Sequence, residues 1–198
     1  MPGSVISQER AAAILEPYLD AIGGCLWRAW DSWKETGLPV TVGARSRASL
    51  VYDYAADEAR QTLPGIEGLR VTEVRRFILV CVEDKLLLRY KKFRGNLRTS
   101  GIPTHQQLAF ANQQLTIPGM PDVTKLVAGY LLDPFQEQIA RVAITCSIGK
   151  RLIWHLDIPR PESGTGVVAT LQPQPTAPRE TAVRSTRTQK PDEREQSS

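Results

Sequence analysis

Apolar residues recur at helical spacing over the N-terminal part of the chain: Leu15, Leu19, Ile22, Leu26, Trp30 and Trp33 are separated by steps of three or four. That period places them on one stripe of an amphipathic helix of about 28 residues. Ser7 is a suitable N-cap, and Glu9 lies in the first turn, where the helix dipole favours a carboxylate. Pro17 removes a backbone donor inside this stretch and Gly23-Gly24 weaken it, which invites a break into two pieces. A second helix is expected over residues 46–63, with Leu50, Val51, Tyr54, Ala55 and Leu63 on its apolar side; Pro64-Gly65 ends it.

From Val74 the pattern becomes that of strands. Residues 74–82 are rich in β-branched and apolar side chains, Glu83-Asp84 supplies a turn, and residues 85–93 return, so the segment predicts a β-hairpin. The run Phe77 to Val82 is apolar on both faces, as in a central strand covered by helices. The returning strand begins apolar and becomes basic at Arg89-Tyr90-Lys91-Lys92, so its far end must emerge at the surface. A polar loop over residues 95–101 leads to a capped helix over 105–115, closed by Pro118-Gly119-Met120-Pro121. Three more strands follow at 125–132, 138–146 and 151–158, the last two joined by a tight turn at Ile148-Gly149-Lys150. The fold class is α+β: a mostly antiparallel five- to six-stranded sheet with two N-terminal helices and one inserted helix packed on it.

One domain over residues 1–159 is expected, followed by a Pro/Thr/Arg-rich tail over 160–198 whose composition supports no core. The longest apolar run is far short of the roughly 18 to 20 residues that cross a bilayer, and no basic-then-apolar leader opens the chain. A cytoplasmic, non-membrane protein is expected. Cys25, Cys81 and Cys146 are odd in number and each lies in an apolar segment, which predicts buried reduced thiols rather than disulfides.

The net charge of +4 hides an asymmetry. Between Asp84 and Asp122 there is no acidic residue, while Lys85, Arg89, Lys91, Lys92, Arg94 and Arg98 are all positive. Outside this segment and the tail, the chain is net acidic. The basic segment, with Tyr90 and Phe93 interleaved, can contact consecutive phosphates, and Gln106 and Gln107, with Asn112, Gln113 and Gln114, can donate to phosphates or base edges. Nucleic acid and an acidic protein are therefore both candidate partners of Arg89, Lys91, Lys92, Arg94, Arg98, Gln106 and Gln107. The competing possibility is internal: Arg89 and Lys91 pair with the acidic stretch Asp53, Asp57 and Glu58 of the second helix, a stretch whose acids can instead be solvated and paired with Arg47 and Arg60.

Catalytic chemistry finds less support. His105 and His155 are the only histidines and no cysteine pair accompanies them, so no zinc site is assigned. No Gly-x-Ser-x-Gly turn occurs, and Ser147-Ile148-Gly149-Lys150-Arg151 shares only its Gly-Lys pair with a phosphate loop. No catalytic residue, metal ligand or cofactor is assigned. The alternative is a divergent restriction-type nuclease, in which Glu83-Asp84-Lys85 carries the letters of the Glu-x-Lys element and Asp53, Asp57 or Glu58 completes a two-carboxylate metal site. In that superfamily the element lies inside a strand, whereas here it is expected at a turn. The tryptophans Trp27, Trp30 and Trp33 fit a core stripe, or an interface for self-association through the N-terminal helix.

Three stretches carry a resemblance: residues 45–54 (Arg-Ser-Arg-Ala-Ser-Leu-Val-Tyr-Asp-Tyr), Leu87-Leu88-Arg89-Tyr90-Lys91-Lys92, and Ile102-Pro103-Thr104-His105-Gln106. Together they resemble an uncharacterised family of short bacterial and prophage α+β proteins, similar in length and element order, associated with gene neighbourhoods of helix-turn-helix repressors and sometimes of a zinc peptidase. The resemblance spans residues 10–158 and carries over no functional residue. It implies a regulatory or defence role in mobile-element biology, and the lack of a coherent catalytic constellation beside the basic, amide-rich surface makes a non-enzymatic regulatory or interaction protein the expectation.

Overall fold

A computed structural model describes residues 5–38, 42–74, 77–99, 104–115 and 123–161. The first helix, α1 (Gln8–Leu15), is capped by Ser7, whose hydroxyl accepts the Arg10 N–H at 3.4 Å. A 3-10 turn at Glu16–Tyr18 carries Pro17 and passes the chain into α2 (Leu19–Glu35), so the break falls where the missing donor predicts it. Gly23 is required by packing: a Cβ there would meet Ile158 Cγ2 at 2.6 Å, and its absence lets α2 settle on the sheet. α3 (Ala44–Thr62) packs against α2 and ends through a second 3-10 turn at Leu63–Gly65.

Six strands form one sheet in chain order: β1 (Leu69–Val74), β2 (Phe77–Val82), β3 (Leu86–Lys92), β4 (Thr124–Leu132), β5 (Ile139–Ile148) and β6 (Arg151–Ile158). Neighbours are antiparallel except β3 and β4, which run parallel in a register from Leu86↔Thr124 to Lys92↔Tyr130. Parallel strands need a crossover, and this one contains α4 (His105–Ala111), capped by Thr104, whose hydroxyl accepts the Gln107 N–H at 3.2 Å. The architecture is the α+β class expected.

Some boundaries differ from expectation. The strand expected over 74–82 is two strands: Val74 ends β1 and Phe77 opens β2. β1 escapes the apolar pattern because it is an edge strand reading Leu-Arg-Val-Thr-Glu-Val, only Leu69 of which is fully buried. The helix expected to reach residue 115 stops at Ala111, where Gln113 adopts φ 63° and leaves the helical path. The proline-glycine closure at 118–121 and the tail from residue 162 lie outside the described residues.

The central sheet is buried on both faces. Against the helical layer, Val80, Val82, Leu86, Leu88, Tyr90, Leu126, Ala128, Tyr130 and Ile144 join Leu15, Ile22, Leu26 and Trp30 in one core. On the opposite face Leu79, Cys81 and Leu87 pack with Phe110 of α4, and Phe93, Leu97 and Ala143 form a smaller cluster. All three cysteines are free and buried, as expected, and burial pushes the Cys146 thiol up to about 12. Among the described residues no helix is long and apolar enough to cross a membrane.

Phe93 can lie over β4 because residue 129 is glycine: a Cβ there would meet the Lys91 carbonyl oxygen at 2.5 Å and the Phe93 ring at 2.6 Å. Gly129→Ala is expected to cost about 1–3 kcal/mol, the usual penalty for overfilling a packed interior. Urea unfolding of wild type and variant measures it, and equal stabilities contradict this packing.

Candidate functional site

Side chains of β3 alternate between the two faces. Leu86, Leu88 and Tyr90 enter the helical core, and Leu87, Arg89 and Lys91 face the side covered by α4. The β2–β3 ladder ends at Val80↔Leu88, so Arg89 to Lys92 pair with β4 alone. β2 and β3 part beyond that rung, and two concavities open at the basic end of β3.

The first is a cavity of about 310 Å³ beneath α4 and the loop that follows β3. Arg89 is 6% exposed and lines it. Its guanidinium carbon lies 4.6 Å from the Phe110 ring centroid, while Nε is buried and has no hydrogen-bond partner. Burial lowers its pKa from the ordinary guanidinium range to about 10. The loop is folded back by Phe93↔Thr99 pairing and by hydrogen bonds from Arg94 N–H to the Arg98 carbonyl and from Leu97 N–H to the Arg94 carbonyl, both 2.8 Å. That closure brings Arg94 and Arg98 to the same cavity, and Lys125 of β4 and Lys150 of the β5–β6 turn complete the set of cations. No aspartate or glutamate is among the described residues lining it.

The second concavity is an open groove of about 1100 Å³ between α3, the start of β2 and the end of β3. Lys91, Lys92, Arg94 and Gln107 line it beside the aromatic side chains of Tyr52, Phe77 and Tyr130. Lys91 Nζ is 5.9 Å from the Phe77 ring centroid, and Tyr130 Oη is buried without a partner. Burial, then the neighbouring Arg89, hold the Lys91 ammonium below its ordinary range; burial, then Arg47, do the same to Lys92. Arg94 borders both cavity and groove.

The structure thus divides the expected site. Arg89, Arg94 and Arg98 gather at the cavity, Lys91, Lys92, Arg94 and Gln107 gather at the groove, and Gln106 is half-buried on α4 outside both linings. Gln113 is occupied internally. Its Nε2 donates to the carbonyls of Lys125 (2.9 Å) and Ser147 (3.1 Å), and its Oε1 accepts the Lys125 N–H (2.7 Å), so it braces β4 against β5. Lys125 and Lys150 were not anticipated. The signals were a lysine in an otherwise apolar strand and the Gly-Lys pair of the last turn, whose Ser147, Gly149 and Lys150 all reach the cavity.

Of the α3 acids only Asp53 lines the groove, and no ion pair joins it to the cations at this end of β3 among the described residues. Glu58 is paired with Arg28, Asp57 accepts from Gln61, and Arg60 turns to Glu73. Arg47 donates to the carbonyl and the side-chain oxygen of Gln136. Arg28, Arg60, Arg70, Lys85, Arg141 and Arg160 each have a carboxylate partner. Arg89, Lys91, Lys92, Arg94 and Arg98 have none among the described residues, and Lys92 reaches only the amide oxygen of Gln136 at 3.4 Å.

The residues of the nuclease alternative are dispersed. Glu83 and Asp84 sit at the β2–β3 turn with φ 52° and 51°. Glu83 accepts from Tyr18 Oη at 2.8 Å and pairs with Lys85, and Asp84 pairs with Arg70. Asp53 lines the groove at the far end of β3, about 20 Å along the strand from that turn. The described residues contain no group of three His, Cys, Asp or Glu side chains placed to hold a metal. Of the tryptophans, Trp30 is core, tilted against Tyr130 at 6.1 Å, while Trp27 and Trp33 are half-buried at its edge and Arg160 lies 5.2 Å over the Trp27 ring.

Comparison of the chain with protein-family models, curated proteins and solved structures finds no match. What fold and site define is an α+β protein whose sheet carries, on both sides of one strand end, cations with no carboxylate partner among the described residues.

Burial of the guanidinium is expected to cost stability. Above about pH 10 the unfolded chain holds the Arg89 proton more tightly than the folded chain, so the contribution of this residue to stability rises with pH from there and its penalty is full at neutral pH. Arg89→Met, which keeps contact with Phe110 and removes the charge, is expected to raise stability at pH 7 by about 1–3 kcal/mol. Chemical denaturation measures this, and a variant less stable than wild type contradicts an uncompensated charge.

Proposed function

We propose that this chain is a non-enzymatic cytoplasmic binding protein that engages single-stranded nucleic acid along the groove at the end of β3. The carrying observation is clustering: Arg89, Lys91, Lys92, Arg94 and Arg98 gather around one strand end with no carboxylate partner among the described residues. A phosphate backbone offers regularly spaced charge to such a surface and releases counterions on binding. The aromatic walls favour nucleic acid over an acidic protein. Bases stack on aromatic rings whatever their sequence, and Tyr52 and Phe77 stand in the groove beside Lys91 and Lys92. Tyr130 Oη supplies an unused polar group at its floor. A regulatory role in mobile-element biology, as the sequence resemblance implies, is consistent with sequence-tolerant binding of this kind.

Lys91→Glu/Lys92→Glu is expected to weaken binding to a fluorescent single-stranded oligonucleotide by roughly ten- to a hundredfold, with the salt dependence lowered by about 1 to 1.5 in log–log slope. Fluorescence anisotropy at several salt concentrations measures both. Equal binding by wild type and variant, or preference for an acidic peptide over the oligonucleotide, overturns the proposal; cleavage of the oligonucleotide with magnesium or manganese replaces it with the nuclease.

A further inference from the structure

The cavity under α4 asks for a different ligand from the groove. Arginine is rarely buried without a partner, because desolvating a charge costs several kcal/mol unless hydrogen bonds and an opposite charge compensate it. Arg89 is 6% exposed, and its Nε has no acceptor. Its surroundings are otherwise firmly built. Gln113 fixes β4 against β5 through three hydrogen bonds, Lys125 Nζ donates to the Gln113 carbonyl at 3.1 Å, and Phe110 stacks on the guanidinium. A side chain held this way is oriented before any ligand arrives, and a planar fork of donors suits bidentate capture of an oxyanion.

We infer that this cavity is a receptor for one phosphate monoester group, gripped by Arg89 with Arg94 and Arg98 closing over it. The charge count selects the ligand class. A phosphate monoester carries about −1.5 to −2 at neutral pH, and the cavity offers Arg89, Arg94 and Arg98 with no aspartate or glutamate in its described lining. A single carboxylate leaves most of that positive charge uncompensated. The volume of about 310 Å³ admits the phosphate and a body of sugar size, at the lower end of small-molecule sites. Thr145 and Ser147 line the same wall; the Thr145 hydroxyl donates to the Val127 carbonyl at 3.4 Å, and that of Ser147 can donate to a remaining phosphate oxygen. Arg94, which also borders the groove, gives a phosphorylated strand end a route into the cavity. The phosphate can therefore belong to a free sugar phosphate or mononucleotide, or to the 5′ end of an oligonucleotide.

The test uses the full chain in isothermal titration against inorganic phosphate, a nucleoside 5′-monophosphate, and matched 5′-phosphorylated and 5′-hydroxyl oligonucleotides, with sulfate at equal ionic strength as control. Saturable binding at one site per chain is expected, weakened roughly tenfold or more by Arg89→Lys, which keeps the charge and loses the fork, and by Arg89→Met. Arg98→Ala, in an exposed loop position, is expected to weaken it about fivefold, while Lys34→Gln on the exposed side of α2 leaves it unchanged. Tight mononucleotide binding identifies a free ligand, and an Arg89-dependent advantage of the 5′-phosphorylated over the 5′-hydroxyl strand identifies a nucleic-acid end. Phosphate esters binding no better than sulfate, or binding indifferent to all three arginine substitutions in folded protein, overturn the inference. The groove reading is scored separately, by the 5′-hydroxyl strand and the Lys91/Lys92 variant.

Discussion

The parallel pairing of β3 with β4 is the constraint on which the rest of the site depends. Antiparallel neighbours are joined by short turns that leave the sheet faces bare, whereas a parallel pair obliges the chain to cross the sheet. Here the crossing carries α4 and the Phe93–Thr99 loop over the face opposite the N-terminal helices. Without that roof Arg89, Lys125 and Thr145 would project into solvent from an ordinary polar sheet face; with it they line an enclosed cavity. The same crossing leaves the last residues of β3 paired on one side only, and the groove opens where β2 turns away.

Energetically the two faces of β3 are opposites. Leu86, Leu88 and Tyr90 join the hydrophobic core that holds α2 and α3 on the sheet, and Tyr90 Oη donates to the Ile22 carbonyl at 3.3 Å. That burial is what makes a charged residue on the other face tolerable, since the strand is held whether or not Arg89 is compensated. Elsewhere Arg28, Arg60, Arg70, Lys85, Arg141 and Arg160 pair with carboxylates at the surface, where such pairs contribute little to stability. At the end of β3 Arg89 has no such partner among the described residues. A buried guanidinium whose Nε has no partner, at the wall of a cavity, fits a group reserved for a ligand.

Much of this was legible in the residues, and what was not has physical causes. The break at Pro17, the capping by Ser7 and Thr104, the last strand and the buried cysteines follow from local rules that tertiary context did not override. The edge strand β1 was missed because Arg70, Thr72 and Glu73 dilute its pattern and its pairing with β2 reads as one longer strand. The basic character of Arg89 to Arg98 was visible, but not its division between cavity and groove, because that depends on strand alternation combined with a crossover whose path no local signal records. Lys125 and Lys150 belong to the cavity through pairings of β4 with β3 and of β5 with β6, contacts between residues distant in sequence. Gln113 shows the reverse error: an amide that looked free for a ligand is consumed in bracing the sheet.

The Nε–H resonance of Arg89, observed by nitrogen-15 NMR in the full chain during titration with a nucleoside 5′-monophosphate, is the most direct measure of whether this guanidinium awaits an anion. An unpartnered Nε–H predicts a resonance that moves downfield in proton shift and saturates as phosphate oxygens accept from it, while the resonances of ion-paired Arg28 and Arg141 stay in place. A resonance already shifted in the free protein, and unmoved at saturating ligand, means that Arg89 is satisfied from within and contradicts the account.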